Sequence, residues 1–340
     1  MAGLENDGPT MNQCAALSSP GAPRLGLVIH SLWNRWQGDY SSAELPPLRS
    51  PLEVLDYCRE EGFGALQTTV GGWSAELARQ VREARETSGM PLEGSIELPH
   101  DEADVARFEH EARRAREAGA EVFRSYLGGR RYEDLKDMGG VRNYREHAAR
   151  RLRWAEPVLR KLGLRLGVEN HKDFRAEELA ELLRQVGSPH VGCCLDFGNN
   201  LALLERPEET LHTLAPWLLT THLKDMAVAP AEQGFFLAEV PLGRGILDLP
   251  ALIKSCQSAN PRVGFNLEMI TRDPLLIPCL EPSYWQVMAG VSGEALTSML
   301  QHVGQHQAGQ FERVGERTKG QLCQWEAELN KACAERAYGG

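Results

Sequence analysis

The chain has 340 residues, 42% of them hydrophobic and 25% charged, with a formal charge of −10, an ordinary composition for a globular protein. That acidic balance argues against a nucleic-acid or anionic-membrane partner, which would need a basic surface, and no apolar run is long enough to cross a bilayer. The eight cysteines are scattered without a CxxC pair, so they read as reduced thiols of a cytoplasmic protein.

Residues 1–23 lack the basic and apolar stretches of a secretory signal and read as a flexible tail rich in small residues, Gly, Pro and Ser. From Arg24 onward, apolar strands alternate with amphipathic helices. "RLGLVIH" is a strand ending at His30, and the helix from Ser50 opens with Ser50 as N-cap and Pro51 at the first helical position. "ALQTTV" is the next strand, followed by a helix closed by Gly89. "LEGSIELP" and "EVFRSYLG" are strands three and four, with the helix "ADVARFEHEARRAREAGA" between them. A long helix from Val141 leads into "LRLGVENHK", and helix "AEELAELLRQVG" leads into "VGCCLDFGN". Helix "PEETLHTLAPWL" precedes strand "LTTHLKDM", after which a long irregular loop is expected. Helix "DLPALIKSCQSA" and strand "RVGFNLEMI" complete the series.

Eight strands, most followed by a helix, call for a parallel sheet, because parallel strands need crossover connections. Eight such units close into an α/β (β/α)8 TIM barrel over residues 24–282. An open doubly wound sheet would want a Gly-rich dinucleotide loop after an early strand, and none is present. Residues 283–340 are helical and polar and read as the last barrel helix plus a helical C-terminal extension.

In such a barrel the chemistry sits at the carboxyl ends of the strands. Strands five to eight end in Glu169, Asp196, His222 and Glu268. One acid at a strand end is commonly a cap or an ion-pair partner. The three acids at matching ends would repel one another unless a divalent cation sat between them, and three carboxylates with one imidazole suit such an ion. Alternation places His171 on the face of Glu169, and Lys224 on the face of His222. His171 is therefore a candidate general base or a residue that orients a ligand. Lys224 is a candidate for stabilising a developing enediolate, or else an ion-pair partner of Asp225 or Glu268. Arg244, flanked by glycines, and Arg272, just past the last strand, could grip a carboxylate or phosphate with two prongs. Arg124 and His30 end strands four and one and are further candidate pocket residues, while Trp33, Trp36 and Trp73 offer an apolar wall or simple packing.

"GVEN", "CLDFGN", "THLKD", "PLGRGILD" and "NLEM" together resemble the xylose-isomerase-like TIM-barrel superfamily, the sugar phosphate isomerase/epimerase and AP-endonuclease-2-like group, over about residues 24–272. The resemblance implies that Glu169, Asp196, His222 and Glu268 bind one divalent metal ion, Mn2+ first, with Mg2+, Co2+ or Zn2+ as alternatives. It implies an isomerase or epimerase acting on a small-molecule carbohydrate through a metal-stabilised enediolate, with Glu169 and Glu268 among the catalytic groups beside His171 and Lys224. Where ketose 3-epimerases of this group carry His, three residues after the metal-binding Asp, this chain has Asn199, which is counted with Arg244, Arg272, Arg124 and His30 as substrate-binding. The alternatives are a lyase of the same fold, either decarboxylating a 3-oxo sugar acid or eliminating from a 3-keto-glycoside, and a non-catalytic sugar-binding barrel. A homo-oligomer is expected, with no nucleic-acid or membrane partner.

Overall fold

Seven parallel strands come first: β1 (Leu25–Val28), β2 (Ala65–Thr69), β3 (Leu92–Ser95), β4 (Val122–Ser125), β5 (Arg165–Glu169), β6 (Val191–Asp196) and β7 (Leu218–Leu223). Two further strands, β8 (Asp225–Ala231) and β9 (Gly234–Val240), leave the barrel before β10 (Gly264–Leu267) closes it between β7 and β1. A last strand, β11 (Leu275–Ile277), pairs antiparallel with β9. The structure is a computed structural model that describes residues 24–308, 311–315 and 317–338, so the tail expected over 1–23 lies outside the described residues.

The local signals act as the sequence predicts. Ser50 accepts from Glu53 N, and Glu53 returns a bond to the Ser50 backbone, giving the capping box that starts the helix Pro51–Glu60. Gly89 ends the helix Ala75–Ser88 in the left-handed region at φ 65°, where a Cβ would clash with its own backbone. Every residue of β6 is buried, as expected of a parallel strand covered on one face by helices and on the other by the barrel core.

Two expectations change. His30 is not in a strand: β1 stops at Val28 and the chain turns into a 3-10 helix over Ile29–Leu32. The stretch after β7 is not an irregular loop but the β8–β9 hairpin, paired over its whole length from Asp225↔Val240 to Ala231↔Gly234. Glu232 and Gln233 make its turn, and Gly234 opens β9 at φ 150°, a conformation open to glycine. Beyond the barrel, the helix Lys319–Tyr338 packs on the turn that follows β1.

Candidate metal centre

The register of β5, β6, β7 and β10 gathers the four strand-end residues. Glu169 pairs with Cys194, and Asp196 pairs with His222 two residues further on. Asn266 also pairs with His222, and Glu268 two residues later donates its backbone N–H to Leu223 O at 3.0 Å. Glu169, Asp196, His222 and Glu268 are all buried, and one ligand atom from each lies within 4.8 Å of the others. His222 Nδ1 is 3.4 Å from Glu268 Oε1, 3.6 Å from Glu169 Oε2 and 3.9 Å from Asp196 Oδ2.

The donor set fits a divalent ion. His222 Nδ1 is buried without a hydrogen-bond partner, and so is Asp196 Oδ2, which lies 2.8 Å from Lys224 Nζ without hydrogen-bond alignment. His222 Nε2 lies 2.8 Å from Gln67 Oε1. Gln67 Nε2 donates to Glu93 Oε2 at 3.0 Å, which orients the amide and assigns the proton of His222 to Nε2. The Nδ1 lone pair therefore faces three carboxylates, a nitrogen and oxygen set that suits a hard or borderline cation. Burial opposes the imidazolium, yet Cys194, Glu268 and Glu169 pull His222 well above its usual range. A divalent ion held among those carboxylates would reverse that pull.

Cations pack round the quartet. Burial disfavours ionised Glu169, but the Arg124 guanidinium holds it well below the usual carboxylate range, with Arg124 Nε donating to Oε2 at 2.6 Å. Burial likewise works against ionised Glu268, and Lys224, then His222, hold it low. Lys224 Nζ is 2.6 Å from Glu268 Oε2 and 3.7 Å from Glu239 Oε1, and His30 Nδ1 is 3.0 Å from Glu268 Oε1. Asn199 Nδ2 donates to Glu169 Oε1 at 2.9 Å, while its Oδ1 accepts from Lys172 Nζ. Arg272 pairs with Glu239, whose Oε2 also takes the Ile270 N–H at 2.5 Å.

Of the sequence candidates, His30, Arg124, Lys224 and Asn199 thus touch the quartet directly, and Arg272 reaches it through Glu239 and then Lys224. His171 and Arg244 sit further out. His171 Nδ1 bonds Gly129 O at 3.0 Å, its ring packs 5.8 Å from Tyr126, and burial, then Lys172, push it down to about 3. Arg244 is exposed and lines a cavity of about 290 Å³ with Arg272, Glu239, Met269 and Trp325. Its glycine neighbours serve Asp225, whose carboxylate accepts from Gly243 N at 2.9 Å, Gly245 N at 2.8 Å and Leu247 N at 3.2 Å. A Cβ on Gly245 would lie 2.1 Å from Asp225 Oδ1, so the loop needs glycine there. Asp225 consequently builds the loop and is not the partner of Lys224.

Sequence reasoning missed Glu239, Lys172 and the Gln67–Glu93 pair. The two strand-forming runs around "EQG" signal a hairpin and would have put Glu239 near the strand ends. Lys172 is buried, has no carboxylate within 4.0 Å among the described residues, and is lowered to about 8 by burial and then by Arg272 and Lys224.

The family model for the xylose isomerase-like TIM barrel matches residues 55–289. A 3-oxo-isoapionate decarboxylase of Pectobacterium atrosepticum is 34% identical over 103 residues, which cover 30% of this chain and 38% of the relative. The alpha subunit of a 3'-dehydrocarminate deglycosidase of Microbacterium sp. is 27% identical over 211 residues, covering 57% of this chain and 54% of the relative. The chain thus spans only 38% and 54% of the length of these two curated relatives. A xylose isomerase-like TIM barrel protein from Mycobacterium smegmatis, solved in complex with magnesium, shares the fold at a TM-score of 0.56 and 18% identity, over 82% of this chain and 98% of that one. With the match running across most of a closed eight-stranded barrel, the chain belongs to the xylose isomerase-like TIM barrel family.

Proposed function

We propose that this chain is a divalent-metal-dependent enzyme of carbohydrate chemistry and, more narrowly, a lyase that decarboxylates a 3-oxo sugar acid. One observation carries the narrower reading. The four carboxylates Glu169, Asp196, Glu239 and Glu268 face four cations: Arg124 and, through Asn199, Lys172 on Glu169, Lys224 shared between Asp196 and Glu268, and Arg272 on Glu239. A divalent ion added to this balanced set leaves the site positive, which favours an anionic substrate over a neutral sugar. The names of the two curated relatives, a decarboxylase and a deglycosidase, support lyase chemistry.

An ion held by Glu169, Asp196, His222 and Glu268, with Mn2+ the first choice and Mg2+, Co2+ or Zn2+ as alternatives, would supply Lewis acidity to adjacent substrate oxygens. The side chains do the rest. Arg272, with Arg244 at the outer edge of the same cavity, orients the anionic end of the substrate. Lys224, fixed between Asp196 and Glu268, places positive charge where negative charge collects as the C–C bond breaks. Lys172, poised at about 8, is matched to deliver the proton to the carbon that loses CO2. His171, at about 3, is a neutral imidazole and a weak base, suited to orienting groups at the rim. Trp33 and Tyr126, both exposed near the strand ends, offer faces for the sugar. Cys58, Cys193, Cys194, Cys256, Cys279 and Cys323 are free thiols, which supports the cytoplasmic reading.

Isomerisation or epimerisation is the second reading. It is favoured by Glu169 and Glu268, two carboxylates that both approach His222 and could act as a base and acid pair. The test is a panel of ketoses and 3-oxo sugar acids incubated with Mn2+-loaded protein in D2O. A lyase releases CO2 from a 3-oxo acid and leaves ketoses unlabelled. Ketoses returned with unchanged formula and deuterium beside the carbonyl, with no CO2 from any 3-oxo acid, would overturn the lyase reading.

A further inference from the structure

The turn after β1 carries two residues of the site's rim. His30 bonds the ligand Glu268, and Trp33, 63% exposed, lies edge-on to His30 with ring centroids 6.4 Å apart. On its inner side this turn is stitched to the strand that bears Glu268. Ser31 Oγ donates to Leu267 O at 2.9 Å and accepts from Met269 N at 2.9 Å. On its outer side, Asn34 and Arg35 are buried, so their N–H groups need acceptors away from water.

Those acceptors come from the C-terminal helix, almost 300 residues along the chain. Glu326 Oε2 takes Asn34 N at 2.6 Å and Asn34 Nδ2 at 3.1 Å, and Oε1 takes Arg35 N at 3.2 Å. One helical turn on, Asn330 Nδ2 donates to Ser31 O at 2.7 Å. Lys319 Nζ completes the contact with Asn34 Oδ1 at 3.2 Å. Glu326 is fully buried and belongs to no catalytic cluster. A buried carboxylate is costly unless its lone pairs are used, and here three N–H donors from one turn use them. Both the turn and the helix lie outside the 55–289 span of the family match.

We propose that Glu326 and Asn330 are positioning residues of the metal centre. They lock the 30–35 turn between the C-terminal helix and β10, and through it they set His30 against Glu268 and Trp33 at the mouth. The helix is thereby part of the active-site architecture rather than an appendage. Only the activity arm of the test rests on the proposed function.

The full chain is compared with Glu326→Ala and Asn330→Ala by hydrogen exchange and by steady-state kinetics on whichever substrate the panel identifies. Amides of residues 29–36 should exchange at least about tenfold faster in both variants, as for a segment that opens locally, with β5 and β6 unchanged. KM should rise in Glu326→Ala. The Glu326→Ala, His30→Ala double variant should be no worse in kcat/KM than His30→Ala alone, the non-additivity of residues that act through one another. Unchanged exchange at 29–36, loss of protection across the whole barrel in both variants, or full additivity with His30→Ala overturns the proposal. If Glu326→Ala does not fold, Asn330→Ala carries both measurements. If the wild-type chain turns over nothing in the panel, the proposed reaction fails, and hydrogen exchange alone decides the clamp.

Discussion

Gln67 holds His222 in a single tautomer. Its Oε1 accepts the Nε2 proton at 2.8 Å while its own Nε2 is committed to Glu93, and the free Nδ1 is left facing Glu169, Asp196 and Glu268. Gln67→Leu removes this control while leaving the four candidate ligand side chains in place. Divalent-metal affinity should fall about 10- to 100-fold, the usual cost of losing a partner behind a metal-binding His. Titration with Mn2+ against the wild-type chain measures it, with circular dichroism confirming the fold. An unchanged affinity would mean that His222 is not a ligand.

Binding of one divalent ion should stabilise the folded chain. At a free ion concentration about 100 times Kd the gain is about 2.7 kcal/mol, enough to raise Tm by several degrees. Chelation should lower Tm by that amount, and added Mn2+ should restore it. Asp196→Asn should melt at the same temperature with and without Mn2+. A wild-type Tm indifferent to both chelator and Mn2+ counts against the metal centre.

Lys172→Met should keep the metal and lose turnover by about 10²- to 10⁴-fold, the range for a proton-transfer group. The pH profile separates this role from a packing role. Burial lowers Lys172 to about 8, so its ammonium form predominates below that pH and is lost as pH rises through it. If Lys172 donates the proton, wild-type kcat falls above about pH 8, and that limb is missing from the residual activity of Lys172→Met. A wild-type profile flat from pH 7 to 9 would exclude the role.

Arg272 is held by Glu239, which in turn approaches Lys224. Arg272→Lys keeps the charge but loses the planar two-pronged contact. KM for an anionic sugar should rise about tenfold, equivalent to about 1.4 kcal/mol, while KM for any neutral sugar changes little. Arg244→Ala, on the exposed loop, should show a smaller effect in the same direction. Equal losses on neutral and anionic substrates would place Arg272 in structural support alone.

The barrel and its quartet were legible in the sequence because both rest on short-range patterns. Strand and helix periodicities are properties of a dozen neighbouring residues, and they recur from Leu25 to Leu267. A buried strand that ends in Glu169, or one that ends in Asp196, announces itself by the cost of burying charge. The hairpin after β7 was missed because Pro230 and Gly234 interrupt its alternation. With it went Glu239, whose importance depends on the pairing Met226↔Glu239. Tertiary structure alone decided which cations meet which acids. Arg124 reaches Glu169 across 45 residues, His30 reaches Glu268 across 238, and Glu326 reaches Asn34 across 292. Such pairings follow from barrel closure and from the docking of a distant helix, and a side chain of either sign would satisfy the same local pattern. The sequence determined that a metal-competent ring exists at the strand ends, since each candidate ligand is marked by its own strand. The closed fold determined the charge that surrounds the ring, since that charge is summed over residues brought together only in space.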